Sequence, residues 1–101
     1  IAKILFSGDM GASMVEDAAK PLENFAAHIP KMKSFHQRYM CSNKVIRLWV
    51  NMVRTMDIEM IVPQHGTPFI GKEQINQFLD WIETLECGID LMDETVFTCP
   101  E

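Results

Sequence analysis

The chain has 101 residues, of which 48% are hydrophobic and 23% are charged, and its formal net charge is −5. These values predict one globular domain at most and exclude a disordered or fibrous protein. No apolar run of about 18 residues is present, so we predict no membrane-spanning helix, and no segment resembles a signal peptide. Because Ile1 already lies inside a strand-like pattern, we expect the chain to be a fragment of a longer protein.

The charge is unevenly distributed along the chain. Residues 1–56 hold eight basic and four acidic side chains, whereas residues 57–101 hold one lysine and ten acidic side chains. The acidic second half argues against nucleic-acid binding, which needs a positive field, and we interpret both groups as solvated helix surfaces. The three cysteines, Cys41, Cys87 and Cys99, form no C-x-x-C pair. An odd number without metal-binding spacing predicts reduced thiols and a cytoplasmic location.

The first predicted element is a buried strand over Ala2–Ser7, followed by a tight turn between Gly8 and Gly11. Residues 12–33 contain two prolines and are predicted to form a connecting excursion with short helical pieces, closed at Ile29-Pro30. Within this excursion His28 has no partner in the sequence pattern, and we expect it on the surface.

Residues 34–56 have a helical pattern, with a short helix over Phe35–Cys41 and a longer one capped by Ser42 or Asn43. One apolar stripe at helical spacing is predicted to face the core; its members are Val45, Leu48, Trp49, Met52, Val53 and Met56. A strand over Ile58–Val62 follows at once. A helical crossover between two strands usually connects parallel neighbours, although antiparallel neighbours remain possible after so long an excursion.

A further amphipathic helix is predicted to begin near Lys72 and to end at Gly88, a typical helix C-terminal glycine. Trp81 lies off its apolar stripe and is a candidate for contact with another layer or a partner. Val96-Phe97 is a possible edge strand, and residues 94–101 a possible tail or linker. The elements predict one sheet with helices on one face and a bare second face, as in half of a sandwich.

Two strand ends carry the residues that suggest chemistry. Asp9 and His65 each follow an apolar run, in a turn that contains glycine. Loops at strand ends are held rigidly by the sheet, and a carboxylate with an imidazole suits iron, manganese or zinc. Two ligands do not hold a metal, and the simpler alternatives are a turn aspartate and a buried histidine. Ser7 has no nucleophile elbow or base beside it, which argues against a serine hydrolase.

Three residues of the helical segment before the second strand each allow two interpretations. His36 lies near the site or on a helix surface, and the surface is the favoured interpretation. Tyr39 and Asn43 support the site or the packing between layers, and packing is favoured.

Three segments together resemble one family, and they occur in its order: Leu-Phe-Ser-Gly-Asp-Met-Gly (5–11), Phe-His-Gln-Arg-Tyr-Met-Cys-Ser-Asn-Lys (35–44) and Ile-Val-Pro-Gln-His-Gly (61–66). They resemble the C-terminal half of the metallo-β-lactamase-like domain of flavodiiron proteins, and most closely the stand-alone oxygen-binding diiron proteins of that group. The resemblance implies an α/β fold, half of an αββα sandwich, with residues 1–101 as the C-terminal part of one domain. It also implies that Asp9 bridges two irons and that His65 binds one of them. The second imidazole nitrogen of His65 needs a hydrogen-bond partner, and either Gln64 or the backbone of the glycine turns is available for this.

The resemblance also implies what the chain lacks. The family's remaining ligands come from an upstream H-x-E-x-D motif and a further histidine, and neither is present. We therefore expect a missing N-terminal half to complete the diiron site, and we assign no catalytic residue and no FMN-binding residue to this chain. The implied function of the parent is binding or reduction of O₂ or NO. Reduction, by a flavodiiron-type oxidoreductase, would need electrons from a flavin, whereas binding alone suits a sensor.

Two other functions remain open at this point. A zinc-dependent metallo-β-lactamase-like hydrolase uses an aspartate and a histidine at equivalent places. Alternatively, the chain is a metal-free, inactive half-sandwich that packs on its missing half or forms a homodimer through its bare sheet face.

Overall fold

The computed structural model describes residues 3–15 and 20–100, and these residues form one small sheet with helices packed against it. The sheet consists of β1 (Ile4–Gly8), β2 (Met60–Pro63) and β3 (Phe69–Ile70); the helices are α1 (Phe25–Tyr39), α2 (Asn43–Arg54) and α3 (Lys72–Ile82), followed by a 3₁₀ turn over Gly88–Leu91. The predicted strand start at Ala2 lies outside the described residues. None of the helices described is long and apolar enough to cross a membrane.

The sheet has the strand order β1-β2-β3. β1 and β2 are parallel, with Ile4 opposite Met60, so the crossover between them connects parallel neighbours, as the sequence favours. β3 was not predicted: Phe69 and Ile70 follow a tight turn and pair antiparallel with β2. A strand of two residues carries too little periodicity to be recognised from sequence.

The core lies between the sheet and the three helices. Its fully buried side chains include Ile61 and Phe69 from the strands and Met32, Val50 and Phe78 from the helices. The rings of Phe69 and Phe78 stack with their centroids 4.5 Å apart at the centre of this cluster. The sheet therefore has one well-packed face, the one that the helices cover.

The opposite face of the sheet is uncovered, as predicted. Phe6 is 77% exposed and Ile70 is 48% exposed, and Ile4 is also open to solvent. β1 is consequently half-buried rather than buried, because its side chains alternate between the two faces. Apolar side chains in such a row indicate a surface that another layer covers.

Helix α1 differs most from the prediction, because it runs through Pro30. The missing N–H of an interior proline normally costs about 3 kcal/mol and breaks a helix. Here one face of α1 buries His28, Met32 and His36 at intervals of four residues, and this packing outweighs the local penalty. The predictions of surface positions for His28 and His36 are therefore wrong, since they are 4% and 0% exposed.

The apolar stripe predicted for α2 does not face the core as a whole. Ser42 caps the helix, as one of the two predicted possibilities, and accepts a hydrogen bond from the Val45 N–H at 3.3 Å. The buried residues are Ile46, Val50 and Val53, with Trp49 partly buried against them. The remaining members of the predicted stripe are exposed, namely Val45, Leu48, Met52 and Met56. Two apolar faces exist on α2, and the helix buries the one that contacts α3.

The C-terminal part also departs from the prediction. α3 begins at Lys72 as expected but ends at Ile82, and Gly88 opens the 3₁₀ turn instead of ending the helix. Trp81 lies against the rings of Phe25 and His36 inside this chain, at centroid distances of 6.3 and 6.0 Å. Val96 and Phe97 do not form the predicted edge strand in the described structure, and both are exposed.

Candidate metal centre

Asp9 and His65 lie at the same edge of the sheet. Asp9 directly follows β1 and His65 comes two residues after β2, and because these strands are parallel their carboxyl ends meet at one edge. The backbone closes the gap between the two turns, since the Gln64 N–H donates to the Gly8 carbonyl at 2.7 Å. Both side chains are exposed to solvent.

The turn that carries Asp9 begins with an irregularity in the sheet. The register of β1 against β2 shifts between Phe6 and Gly8, and such bulges redirect the following side chain. The Ser7 hydroxyl donates to the Met10 carbonyl at 2.6 Å, which explains this serine as a turn residue and not a nucleophile. Gly8 and Gly11 have φ angles of 62° and 92°, a region that favours glycine.

The turn that carries His65 is packed tightly against the first turn. The Ser13 N–H donates to the His65 carbonyl at 3.2 Å, and the Thr67 N–H donates to the Ser13 hydroxyl at 3.2 Å. Gly66 has a φ of 104°, and a Cβ there would lie 2.2 Å from Ser13 Oγ. The two turns are therefore joined by short contacts around Ser13.

Behind the Asp9 turn lies the imidazole of His36. Its Nε2 accepts the Gly11 N–H at 2.9 Å, and its Nδ1 lies 2.8 Å from the Met32 carbonyl. An N–H can only donate and a carbonyl can only accept, so the proton resides on Nδ1. Burial lowers the pKa of His36; the Met32 hydrogen bond and the charge of Asp9 offset only part of that effect. The ring is therefore neutral, and neither nitrogen is free to bind a metal.

The residues present fit part of a metal site. Within residues 3–15 and 20–100, no three His, Cys, Asp or Glu side chains converge to hold an ion. Asp9 and His65 nevertheless supply one hard oxygen donor and one imidazole at one edge, a donor pair that suits iron or zinc. Remaining donors would have to come from residues outside the described part. The side chain of Gln64 makes no hydrogen bond to the described residues, so its predicted supporting role remains a prediction.

The other candidate residues make different contacts. Asn43 ties α2 to the end of α3, because its amide donates to the carbonyls of Glu83 and Leu85 at 2.8 Å each. This agrees with the favoured packing role, and Tyr39 is 63% exposed. His28 is buried with its ring edge-on to Phe69, and burial lowers its pKa.

Sequence reasoning missed Ser13, and for His36 it favoured the helix surface over a place near the site. A signal existed for His36, because it follows Met32 by one helical turn on a single face of α1. That signal becomes visible only when the helix is allowed to continue through Pro30. No local pattern pointed to these contacts of Ser13, since its partners His65 and Thr67 lie 52 and 54 positions away in the chain.

Comparison with known proteins places the chain in a family. A family model described as "ODP family beta lactamase" matches residues 1–66. The chain belongs to this family. No curated protein matches it.

Two solved structures of ODP proteins are similar to this member of the ODP family. One is described as the peroxy diiron species of chemotaxis sensor ODP: it is 44% identical, with a TM-score of 0.84, over 95% of this chain and 40% of its own length. The other is the apo state of chemotaxis sensor ODP from T. denticola, 44% identical with a TM-score of 0.85, over 95% and 39%. The fold is thus that of a fragment of the metallo-β-lactamase-like family, and the chain spans about 40% of the length of these relatives.

Proposed function

We propose that this chain supplies two ligands, Asp9 and His65, to a non-haem diiron centre at which the full-length protein binds O₂. The observation that supports this most directly is their placement at one sheet edge, side by side at the ends of parallel strands. The 44% identical relative described as a peroxy diiron species supports iron as the metal. Residues 1–101 would then be the C-terminal part of one domain, and the missing N-terminal part would bring the other ligands.

The roles of the two ligands are consistent with their chemistry. The resemblance assigns Asp9 the bridging role, in which its two carboxylate oxygens would be shared by the two irons and would neutralise part of their charge. His65 would hold one cation through an imidazole nitrogen. A bound iron pair supplies the electrons that hold a diatomic molecule. The rigid turns of this chain contribute orientation, because Gly8, Gly11 and Gly66 hold the ligands close to the sheet.

Sensing is the favoured use of this centre. The two similar structures are described as chemotaxis sensors. Reduction of O₂ or NO would require an electron donor and would appear as catalytic turnover. A cytoplasmic location belongs to the same proposal and is supported by the free thiols of Cys41, Cys87 and Cys99.

The test is metal analysis of the full-length protein, purified without oxygen and loaded with Fe(II). We expect about two irons per chain in the wild type. Asp9→Asn should lose most of both, because an amide bridges cations poorly, and His65→Asn should lose about one. Admitting O₂ should change the visible absorption of the wild type only. The matched control is Asp57→Asn, the same chemical change at the opposite end of the sheet.

Three results would contradict the proposal. One is wild-type iron content in both Asp9→Asn and His65→Asn. The second is a wild type that holds zinc alone, which would favour the hydrolase. The third is an iron-loaded wild type whose spectrum is unchanged by O₂.

A further inference from the structure

Among the described residues, His36 is the only helix side chain that hydrogen-bonds to the backbone of the Asp9 turn. Its Nε2 accepts the N–H of Gly11, two residues after Asp9. The same turn is closed by the Ala12 N–H, which donates to the Asp9 carbonyl at 3.0 Å. The imidazole therefore holds Gly11, the residue directly before Ala12, whose N–H closes the turn.

The imidazole itself cannot shift. It is 0% exposed, and the rings of Phe35, Phe78 and Trp81 surround it at centroid distances of 5.5, 6.4 and 6.0 Å. The Met32 carbonyl fixes its rotation through Nδ1. Because His36 is held at both nitrogens and packed against these rings, it couples the position of α1 to that of Gly11.

Gly11 is held from the core side as well. Its φ of 92° and the Phe69 ring, whose Cε2 would lie 2.8 Å from a Cβ, leave room for glycine alone. The Phe69 ring packs closely against the Gly11 Cα, and His36 accepts the Gly11 N–H. Together these two contacts constrain the Gly11 peptide.

We propose that His36 is a positioning residue of the metal site: by accepting the Gly11 N–H, it fixes the turn that presents Asp9 to the metal. This inference rests on the proposed function. His36 touches neither metal nor substrate, and its effect passes through the backbone. Groups that hydrogen-bond directly to a metal ligand contribute roughly 10- to 100-fold to metal affinity, and that range bounds an effect that passes through the backbone.

The test uses two substitutions of His36 in the full-length protein, and each keeps one of the two hydrogen bonds of the imidazole. His36→Gln places an amide oxygen near the position of Nε2 and keeps the acceptor for Gly11. His36→Asn keeps a donor near Nδ1 for the Met32 carbonyl but does not reach Gly11. A role limited to satisfying the Met32 carbonyl predicts that asparagine substitutes at least as well as glutamine. A positioning role predicts the opposite.

Two readouts separate the possibilities. In the metal-free protein we expect hydrogen exchange of the Gly11 amide, followed by NMR, to be slow in the wild type and His36→Gln but fast in His36→Asn. In Fe(II) titrations we expect His36→Gln to stay near the wild-type affinity, and His36→Asn to bind roughly 10- to 100-fold more weakly.

Each outcome either supports or overturns the positioning role of His36. Equal iron affinity of His36→Asn and the wild type, with two irons bound to the wild type, overturns the inference and leaves the proposed function intact. If His36→Asn does not fold, His36→Gln still decides: native folding with weakened iron binding overturns the inference, and native folding with full binding supports it. A wild type that binds no iron overturns both, and protection of Gly11 would then reflect a purely structural contact.

Discussion

The two ends of the sheet are built by different interactions. At the end where β1 and β2 begin, Asp57 joins Lys3 and Lys72 through ion pairs of 2.6 and 2.7 Å, with side chains that are 46–66% exposed. At the end where these strands finish, the turns around Asp9 and His65 are held by backbone hydrogen bonds and close packing around Ser13. Substitution of an exposed charged residue costs little stability. Substitution where backbone is closely packed costs more. The difference suggests that precise geometry is maintained at the end that presents the ligands.

The largest difference in stability is expected between two glycine-to-alanine variants, one at each end of the sheet. Gly66 and Gly71 have φ angles of 104° and 87°, so alanine is strained at both. At Gly66 the added Cβ would also lie 2.6 Å from the Ser13 backbone nitrogen, whereas at Gly71 nothing lies within 4 Å. We expect Gly66→Ala to lower the free energy of unfolding by roughly 1–3 kcal/mol more than Gly71→Ala does.

Urea denaturation of both variants measures this contrast, with the wild type as reference. Equal losses would mean that the turn at Gly66 relaxes freely and that the packed end is no more rigid than the other.

A smaller contrast is expected from two hydroxyl groups. Ser13 is 9% exposed and accepts the buried Thr67 N–H, so Ser13→Ala leaves a buried donor without an acceptor. That loss should cost about 1–2 kcal/mol. Thr55, near the charged end, donates its hydroxyl to the Met52 carbonyl in an exposed position, and Thr55→Ala should stay within about 0.5 kcal/mol of the wild type. Thermal unfolding of both variants is the measurement. A Ser13→Ala protein as stable as Thr55→Ala would refute the importance of this contact.

The smallest effect concerns the charged end and depends on pH. Hydrogen bonds from Lys3 and Lys72 lower the pKa of Asp57 from 3.8 to about 2. Because the folded pKa lies below the unfolded one, the contribution of Asp57 is complete above pH 3.8 and is lost as the pH falls towards 2. Asp57→Asn should therefore be slightly less stable than the wild type at neutral pH, and the difference should vanish in acid.

Urea midpoints of the two proteins across this pH range provide the measurement. About 1 M NaCl should reduce the difference at neutral pH, since exposed pairs are screened. A difference that persists in acid would show that Asp57 acts through something other than its charge.

The elements fixed by local sequence were predictable. The glycine turns after β1 and β2, the start of α3 at Lys72 and the cap at Ser42 all follow from short-range chemistry. The parallel pairing of β1 and β2 followed from the crossover, and that pairing alone brings Asp9 and His65 to one edge.

The elements decided by tertiary packing were not predictable. Pro30 has a strong local preference against a helix, which burial of Met32 and His36 overrides. α2 has apolar residues on two faces, so periodicity cannot choose between Leu48, which is exposed, and Val50, which is buried. The contact of His36 with Gly11 depends on the first of these two points, because it requires α1 to continue through Pro30.

Parallel pairing of β1 and β2 also has a consequence for folding. Contacts such as Ser13 to Thr67 join residues 54 positions apart, and closing so long a loop costs entropy before any strand contact repays it. The helices in between depend more on neighbouring residues and are expected to form earlier. A nascent chain would then display Asp9 and His65 separately for part of its folding time, and a cation arriving then would meet single donors instead of a pair.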